Sequence, residues 1–209
     1  MTDIAIIGAG RLGTCLGAAL AKAGYRISSL TAKTLEEAEE SRKIIGQGEA
    51  GTNNRRAAKM GEIIILTVPD DLIEKAANEM ADPSLPWADK QVFHCSGLHS
   101  SHILKSLEKL GAITASFHPV QTFPRKSAKA GLFKNIYVSL EGDPRAIKTA
   151  EIMITKIGGR PFPIKATDKP IYHSACSIAS NLLVIFLDIA IDLVKRTGLS
   201  EEQSFGILF

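Results

Sequence analysis

The chain has 209 residues, enough for one large domain or for an ordinary domain with an appendage. Apolar residues make up 45% and charged residues 22%, as in a globular protein and unlike a disordered chain. A net charge of +3 without a dense Lys/Arg block gives no reason to expect nucleic acid as a partner. Three widely spaced cysteines without a C-x-x-C pair, and no signal-peptide pattern, argue against a disulfide scaffold and favour a cytoplasmic location.

The N-terminal stretch carries the pattern on which the functional interpretation depends. An apolar run at residues 4–7 stops at Gly8, and Gly8, Gly10 and Gly13 stand in the spacing G-x-G-x-x-G ahead of a helical pattern that ends at Gly24. A strand, a tight glycine turn and a helix in this order bind a dinucleotide, because backbone and helix N–H groups approach its pyrophosphate. The predicted contacts in this turn are Gly8, Ala9, Gly10, Arg11, Leu12 and Gly13.

The end of the next predicted strand, residues 25–30, distinguishes NAD from NADP. An acid at this point binds the ribose hydroxyls of NAD, whereas the 2′-phosphate of NADP requires hydroxyl or cationic partners. The chain offers Thr31 and Lys33, and Arg11 of the glycine turn lies within reach of the same corner. NADP(H) is therefore favoured over NAD, although a solvated Lys33 would leave this preference open.

Strands and helices continue to alternate along the chain. Further strands are predicted at residues 62–68, 91–94, 113–117, 135–140 and 160–165, and helices at residues 35–45, 54–60, 73–80, 100–110 and 144–157. This order predicts an α/β fold with a Rossmann-type, doubly wound and mostly parallel sheet. Residues 46–52 are predicted as a loop, and Asp70 as the N-cap of the helix that follows.

One long helix is predicted near the end of the chain, over residues 168–196. Its centre is almost wholly apolar, but Asn181, Asp188 and Asp192 interrupt it, and a membrane span needs about 20 apolar residues without such acids. We therefore expect no membrane span and a helix that packs against the sheet domain and a second subunit, in a homodimer.

The predicted domain division follows from this change in composition. Residues 1–166 form the dinucleotide-binding domain, and residues 167–209 form the long helix and the beginning of an all-helical domain for dimerisation and substrate binding. A capping box of Ser200 and Gln203 starts a further helix, which soon ends. The sequence thus suggests a chain cut short relative to its natural fold, or one whose apolar end docks on a neighbour.

Polar residues follow the carboxyl ends of the predicted strands, where a Rossmann site opens. Val68, Pro69, Ser96 and Gly97 are further predicted cofactor contacts, and His94 is expected to support the turn at Ser96. Neither the histidines nor the cysteines have a spacing that suits a metal ion, and Cys95 lacks the neighbouring base that a nucleophile requires.

Two groups of residues are candidates for catalysis. His118 follows a predicted strand and could give a proton to a carbonyl that is being reduced, or it could simply be held by its own loop and Pro119. His173, Ser177 and Asn181 follow one another at intervals of four residues, so an α-helix places them on one face. They could meet substrate or cofactor, or bond to buried backbone.

Five segments together resemble a known family. They are IIGAGRLG at 6–13, LTVPDD at 66–71, HCSG at 94–97, FHPVQTF at 117–123 and YHSACSIASN at 172–181. The chain resembles bacterial oxidoreductases with a Rossmann-like domain followed by a helical domain of unknown function, a group similar to the 6-phosphogluconate dehydrogenase-like superfamily. Its relatives include pyrroline-5-carboxylate reductase, deazaflavin-dependent NADP reductases, prephenate dehydrogenase and β-hydroxyacid dehydrogenases. The resemblance implies NADP(H) binding and dimers formed by long helices.

The chain departs from these relatives at one position. The β-hydroxyacid branch has a catalytic lysine one helical turn before the asparagine, where this chain has Ser177. Prephenate dehydrogenases share a His-Pro pair, which supports a site role for His118. The predicted catalytic set is therefore His118, Asn181, Ser96 and His173.

Three functions stay open at this point. The first is an NADP(H)-dependent oxidoreductase that moves a hydride between nicotinamide and a small carbonyl or imine substrate. The second, a variant of the first, is a pyrroline-5-carboxylate reductase-like imine reductase. The third is a catalytically inactive NADP(H)-binding sensor or structural dimer, which the missing lysine favours.

Overall fold

The computed structural model describes residues 2–209, which form two compact units that divide between Lys169 and Pro170. The first unit is built on one eight-stranded sheet. Its strands are β1 Asp3–Ile7, β2 Arg26–Thr31, β3 Glu49–Gly51, β4 Ile63–Leu66, β5 Gln91–His94, β6 Ile113–Pro119, β7 Tyr137–Gly142 and β8 Arg160–Pro163. The predicted Rossmann-type, mostly parallel sheet is confirmed.

The strand order is β3-β2-β1-β4-β5-β6-β7-β8, and only the β6–β7 pair is antiparallel. The chain runs outward from β1 to β3 on one side and then returns to place β4 on the other side of β1. The register pairs Ile7 with Leu66, so β1 and β4 end side by side. This reversal of direction creates a crevice beyond the carboxyl ends of the two strands.

Helices cover both faces of the sheet. They are α1 Arg11–Lys22, α2 Leu35–Ile45, α3 Asn54–Met60, α4 Ile73–Met80, α5 Lys105–Glu108 and α6 Pro144–Lys156. Along β1 the side chains alternate between two buried clusters: Ile4 and Ile6 pack in one, and Ala5 and Ile7 in the other. All four side chains are fully buried, which explains why this central strand is a continuous apolar run.

Several local predictions differ from the structure. Residues 46–52 contain β3, a three-residue edge strand without the apolar repeat that identifies a strand. The predicted helix at residues 100–110 is a 3₁₀ turn, Ser101–Leu104, followed by the short α5. Strand β6 continues through His118 and Pro119, because both residues pair with the antiparallel β7.

The second unit is helical. It contains most of α7 Lys169–Ser177, a π-helical turn at Ile178–Leu182, α8 Leu183–Lys195 and α9 Glu201–Leu208. The predicted capping box is present, since Ser200 accepts the Gln203 N–H and donates its own N–H to the Gln203 side chain. The π-helical turn includes Asn181 and changes the four-residue repeat on which its predicted alignment with Ser177 rests.

The helical stretch Ala166–Lys195 is long and apolar enough to cross a membrane, by its length and composition alone. Its most apolar window has a mean hydropathy of 2.0, and none of that window is buried within the described residues. Large apolar side chains are exposed here, among them Ile171 at 78% and Phe186 at 66%. Exposed apolar surface of this kind is typical of sites that contact another molecule.

Candidate functional site

A cavity of about 670 Å³ opens at the carboxyl ends of β1, β2 and β4, in the crevice between the diverging crossovers. This is the place where open α/β sheets bind their ligands. Most of the predicted cofactor contacts line it, namely Gly8, Ala9, Gly10, Arg11, Thr31, Lys33, Val68 and Pro69. Leu12, Gly13, Ser96 and Gly97 lie outside its lining.

Backbone hydrogen bonds fix the glycine turn against β2. The N–H groups of Gly8 and Ala9 both donate to the carbonyl oxygen of Thr31, at 3.1 and 2.6 Å, and Gly8 has a φ of +92° that favours glycine. Helix α1 then begins after Gly10, which has no side chain to cap it, and no acid lies in its first turn. The helix therefore presents N–H groups and the positive end of its dipole at the cavity.

The three motif glycines differ in what a side chain would meet. A Cβ on Gly8 would lie 2.6 Å from the Val68 side chain, and one on Gly13 would lie 2.4 Å from the Thr67 hydroxyl. A Cβ on Gly10 would meet only the Gly8 carbonyl oxygen, at 3.9 Å. Packing therefore requires glycine at positions 8 and 13, whereas at position 10 the protein leaves open the space that a bound pyrophosphate would fill.

Charged side chains of both signs line the cavity. The cations are Arg11, Lys33, Lys75 and Lys126, and the acids are Glu37 and Glu79. Thr31 is buried, and its hydroxyl donates to the Asn54 side chain at 2.8 Å, which in turn donates to Glu79 at 3.2 Å. The cations outnumber the acids, which favours an anionic ligand.

Ser96 organises the turn after β5. Its buried hydroxyl donates to the Asp70 carboxylate at 2.8 Å and accepts the N–H groups of Leu98 and His99, each at 3.1 Å. Asp70 is therefore not the predicted N-cap. It lies in a 3₁₀ turn ahead of α4, where its carboxylate binds Ser96 and joins the turns after β4 and β5.

His94 supports this turn, as predicted. The ring is fully buried, Nδ1 accepts the Ser96 N–H at 3.1 Å, and Nε2 lies 3.1 Å from the Ser100 carbonyl oxygen. This pairing requires the neutral ring with its proton on Nε2. Burial, with a smaller contribution from the nearby Lys169 ammonium, lowers the pKa of His94 to about 3.

Replacing His94 by glutamine is expected to make the fold less sensitive to acid. Between about pH 6.5 and pH 3 the unfolded chain binds a proton that the folded ring cannot, so the free energy of unfolding falls as the pH falls. Between about pH 7 and pH 5, we expect the free energy of unfolding to fall by about 2 kcal/mol more in the unmodified chain than in H94Q. Urea unfolding at the two pH values measures this, and equal losses would show that His94 is not the group responsible.

Lys169, the first residue of α7, is a buried residue that the sequence did not single out. The side chain is fully buried, and Nζ donates to the Ser96 carbonyl oxygen at 3.1 Å and to the Ser116 hydroxyl at 2.9 Å. Ser116 in turn donates to the Glu141 carboxylate at 3.3 Å, which also accepts the N–H and hydroxyl of Ser101. A buried ammonium and a buried carboxylate are thus joined through one serine.

Burial lowers the pKa of Lys169, and the charges of Glu141 and Asp70 partly oppose this shift. A lysine at the start of a helix is normally solvated, so the sequence gives no local reason to expect its burial. The signal that could have identified it lies elsewhere: Ser116 and Glu141 are buried polar residues within strands, and buried polar groups of this kind require partners.

The predicted catalytic residues belong to both units, and each unit is considered by itself. In the first unit, His118 is half-buried on β6, and its partner in register on β7 is Ser139. In the second, His173 is half-buried in α7 and Asn181 is exposed in the π-helical turn. Within residues 2–209 no three His, Cys, Asp or Glu side chains are grouped so that they could hold a metal ion.

Solved structures share this fold over most of the chain. The Thermotoga maritima protein TM1727 is 27% identical with a TM-score of 0.71, and the match covers 96% of this chain and 72% of that one. A proposed NADP oxidoreductase from Bacteroides fragilis is 20% identical with a TM-score of 0.80 (99% and 77% covered). Prephenate dehydrogenase from Aquifex aeolicus, in complex with hydroxyphenyl propionate and NAD⁺, is 16% identical with a TM-score of 0.72 (94% and 69% covered).

No curated protein matches the chain.

Two family models match the chain, and they agree with the sequence motifs. Residues 2–119 match the Rossmann-like domain, and residues 136–209 match a domain of unknown function, DUF2520. The first match spans more than half of the chain, and the order of the two domains is the one that the sequence motifs indicated. The chain therefore belongs to the Rossmann-like family, and its residues from β7 onward match DUF2520.

Proposed function

We propose that the chain is an NADP(H)-dependent oxidoreductase that transfers a hydride between nicotinamide and a small carbonyl or imine substrate. The observation that carries the proposal is the open space at Gly10, beside an uncapped helix end in the crevice of the sheet. The Bacteroides fragilis neighbour is named for NADP and the Aquifex aeolicus neighbour was solved with NAD⁺, which supports a nicotinamide dinucleotide as the class of cofactor.

The cavity residues fit this cofactor in a definite order. The pyrophosphate would bind over Gly10, where the first N–H groups of α1 and the helix dipole stabilise its charge. Lys33 and Arg11 would bind the 2′-phosphate at the end of β2, and Val68 with Pro69 would contact the half that leads toward nicotinamide. The bound cofactor supplies or accepts the hydride.

The reduction of a carbonyl or imine also needs a proton at the oxygen or nitrogen. We propose His118 as the residue that donates or orients this proton, since a histidine exchanges protons near neutral pH. Ser96, Asn181 and His173 complete the proposed set that positions substrate or the nicotinamide amide. Ser96 would act here through its turn, because its hydroxyl is already bound to Asp70.

Hydride turnover tests this proposal. Purified protein is mixed with NADPH and a panel of carbonyl, imine and deazaflavin compounds, with pyrroline-5-carboxylate as the first imine, and loss of nicotinamide absorbance is followed. Turnover that falls at least about a hundredfold in a His118→Ala variant would support the enzyme and the role of His118. Turnover that is unchanged in this variant would remove His118 from the mechanism.

A catalytically inactive NADP(H)-binding sensor is the second candidate, and one observation favours it. The helix has Ser177 where the β-hydroxyacid dehydrogenases have lysine, and Lys169, the lysine nearest before it, is fully buried against Ser96 and Ser116. Tight NADPH binding without turnover across the panel would support the sensor.

We also propose that the exposed apolar face of residues 170–209 packs against a second copy of the chain, in the cytoplasm. Side chains such as Phe186 and Ile171 are more than half exposed, and their burial would stabilise a dimer. Sedimentation equilibrium tests this, with a dimer expected at micromolar concentration. A monomer, or protein that stays in solution only with detergent, would contradict it.

A further inference from the structure

The long segment between β6 and β7 returns to the cofactor cavity. Phe123 and Phe133 pack with ring centroids 5.4 Å apart and contact the main core cluster. The Cys15 thiol, on α1, donates to the Arg125 carbonyl oxygen at 3.5 Å. These contacts attach the segment to the helix that begins at the glycine turn, and they bring Lys126 into the lining of the cavity.

The Lys126 ammonium lies against the first turns of α2. Nζ donates to the Glu40 carboxylate at 2.6 Å and to the Glu37 carbonyl oxygen at 3.3 Å, and the side chain is only 17% exposed. Helix α2 begins two residues after Lys33. Lys126 lines the same cavity as Thr31 and Lys33. The ammonium is therefore held in the cavity where the 2′-phosphate of NADP(H) is proposed to bind.

We propose that Lys126 is a specificity-determining residue for this 2′-phosphate, and that Glu40 holds its ammonium in place when the phosphate is absent. The inference rests on the proposed function, since it presupposes NADP(H) in the cavity. A 2′-phosphate carries more negative charge than a carboxylate and offers several acceptor oxygens, while an ammonium has three donors. The phosphate can therefore replace Glu40 as the partner while the bond to the Glu37 carbonyl stays.

This arrangement differs from phosphate recognition by residues that directly follow β2. Lys126 comes 86 residues after Glu40, from a segment that starts immediately after His118 and Pro119. A phosphate bound to Lys126 would therefore also hold in place the segment that follows His118, the proposed proton donor. NADH lacks this phosphate, so it would leave the Lys126–Glu40 pair intact.

The test measures the binding of NADPH and NADH, by nicotinamide fluorescence, to the full chain and three variants. Lys126→Met is expected to weaken NADPH binding about tenfold and to leave NADH binding unchanged, because one charge-assisted bond is lost. Glu40→Gln is expected to strengthen NADPH binding several-fold, because the ammonium is released from a competing carboxylate. Lys129→Met is the matched control, since Lys129 is exposed on the same segment and outside the cavity lining.

The outcomes separate this inference from the proposed function. A chain that prefers NADPH, with affinities that Lys126→Met and Glu40→Gln leave unchanged, overturns the role of Lys126 and leaves the oxidoreductase proposal standing. A chain that binds both dinucleotides equally, or neither, overturns the NADP assignment and this inference with it. If Lys126→Met fails to fold by circular dichroism, Glu40→Gln decides alone, because it keeps the lysine and removes only its partner.

Discussion

The Gly10→Ala variant is expected to bind the dinucleotide about a hundredfold more weakly than the unmodified chain and to unfold at the same temperature. The added Cβ would meet no protein atom closer than the Gly8 carbonyl oxygen at 3.9 Å, and the φ of Gly10, −74°, is one that alanine adopts. It would occupy the space through which backbone approaches the pyrophosphate. The loss of two charge-assisted hydrogen bonds there is worth about 3 kcal/mol, which corresponds to the hundredfold change.

Gly13→Ala is the matched control, with the opposite expected pattern. Its Cβ would lie 2.4 Å from the Thr67 hydroxyl and 2.7 Å from the Gly8 carbonyl oxygen, so the fold must shift. Overpacking of this kind costs about 1–3 kcal/mol and lowers the unfolding temperature. If Gly10→Ala binds NADPH as tightly as the unmodified chain, the glycine turn does not contact the dinucleotide.

The Lys169→Met variant is expected to lose about 3–5 kcal/mol in the free energy of unfolding. Methionine fills a similar volume, but it leaves the Glu141 carboxylate buried without a cation. It also removes the donor to the Ser96 carbonyl oxygen, which holds the turn after β5. Urea unfolding at neutral pH measures the change.

A double variant separates the charge from the volume of the side chain. Lys169→Met with Glu141→Gln is expected to recover part of the loss, because neither buried charge is then left without its opposite. A Lys169→Met variant as stable as the unmodified chain would show that Glu141 does not depend on the lysine. Equal losses in the single and double variants would assign the effect to packing.

Local sequence patterns predicted most of the fold. Helix α2, strand β5 and the Ser200 capping box lie where apolar repeats and capping residues placed them. Strand β3 was missed because a three-residue edge strand carries no repeat, and β6 was cut short because a His-Pro pair is typical of a loop. Its last two residues are held by pairing with β7, which no local pattern reveals.

The candidate site was predictable for a physical reason. Parallel strands end at one edge of a sheet, so residues after β1, β2 and β4 meet there whatever the loops between them do. Lys126 and Lys169 were not predictable in this way. Their partners Glu40 and Ser96 lie far away in the sequence, and a lysine carries no periodic signal that distinguishes a buried position from a solvated one.

The NADP assignment depends most directly on the cations at the end of β2. Titration of the purified chain with NADPH and with NADH, followed by nicotinamide fluorescence, tests it, with Lys33→Glu as the variant. We expect NADPH to bind at least about tenfold more tightly than NADH, because Lys33 and Arg11 would pair with the 2′-phosphate under the proposed function. In Lys33→Glu this preference should disappear while NADH binding persists. Tighter binding of NADH, or no binding of either dinucleotide, would contradict the account.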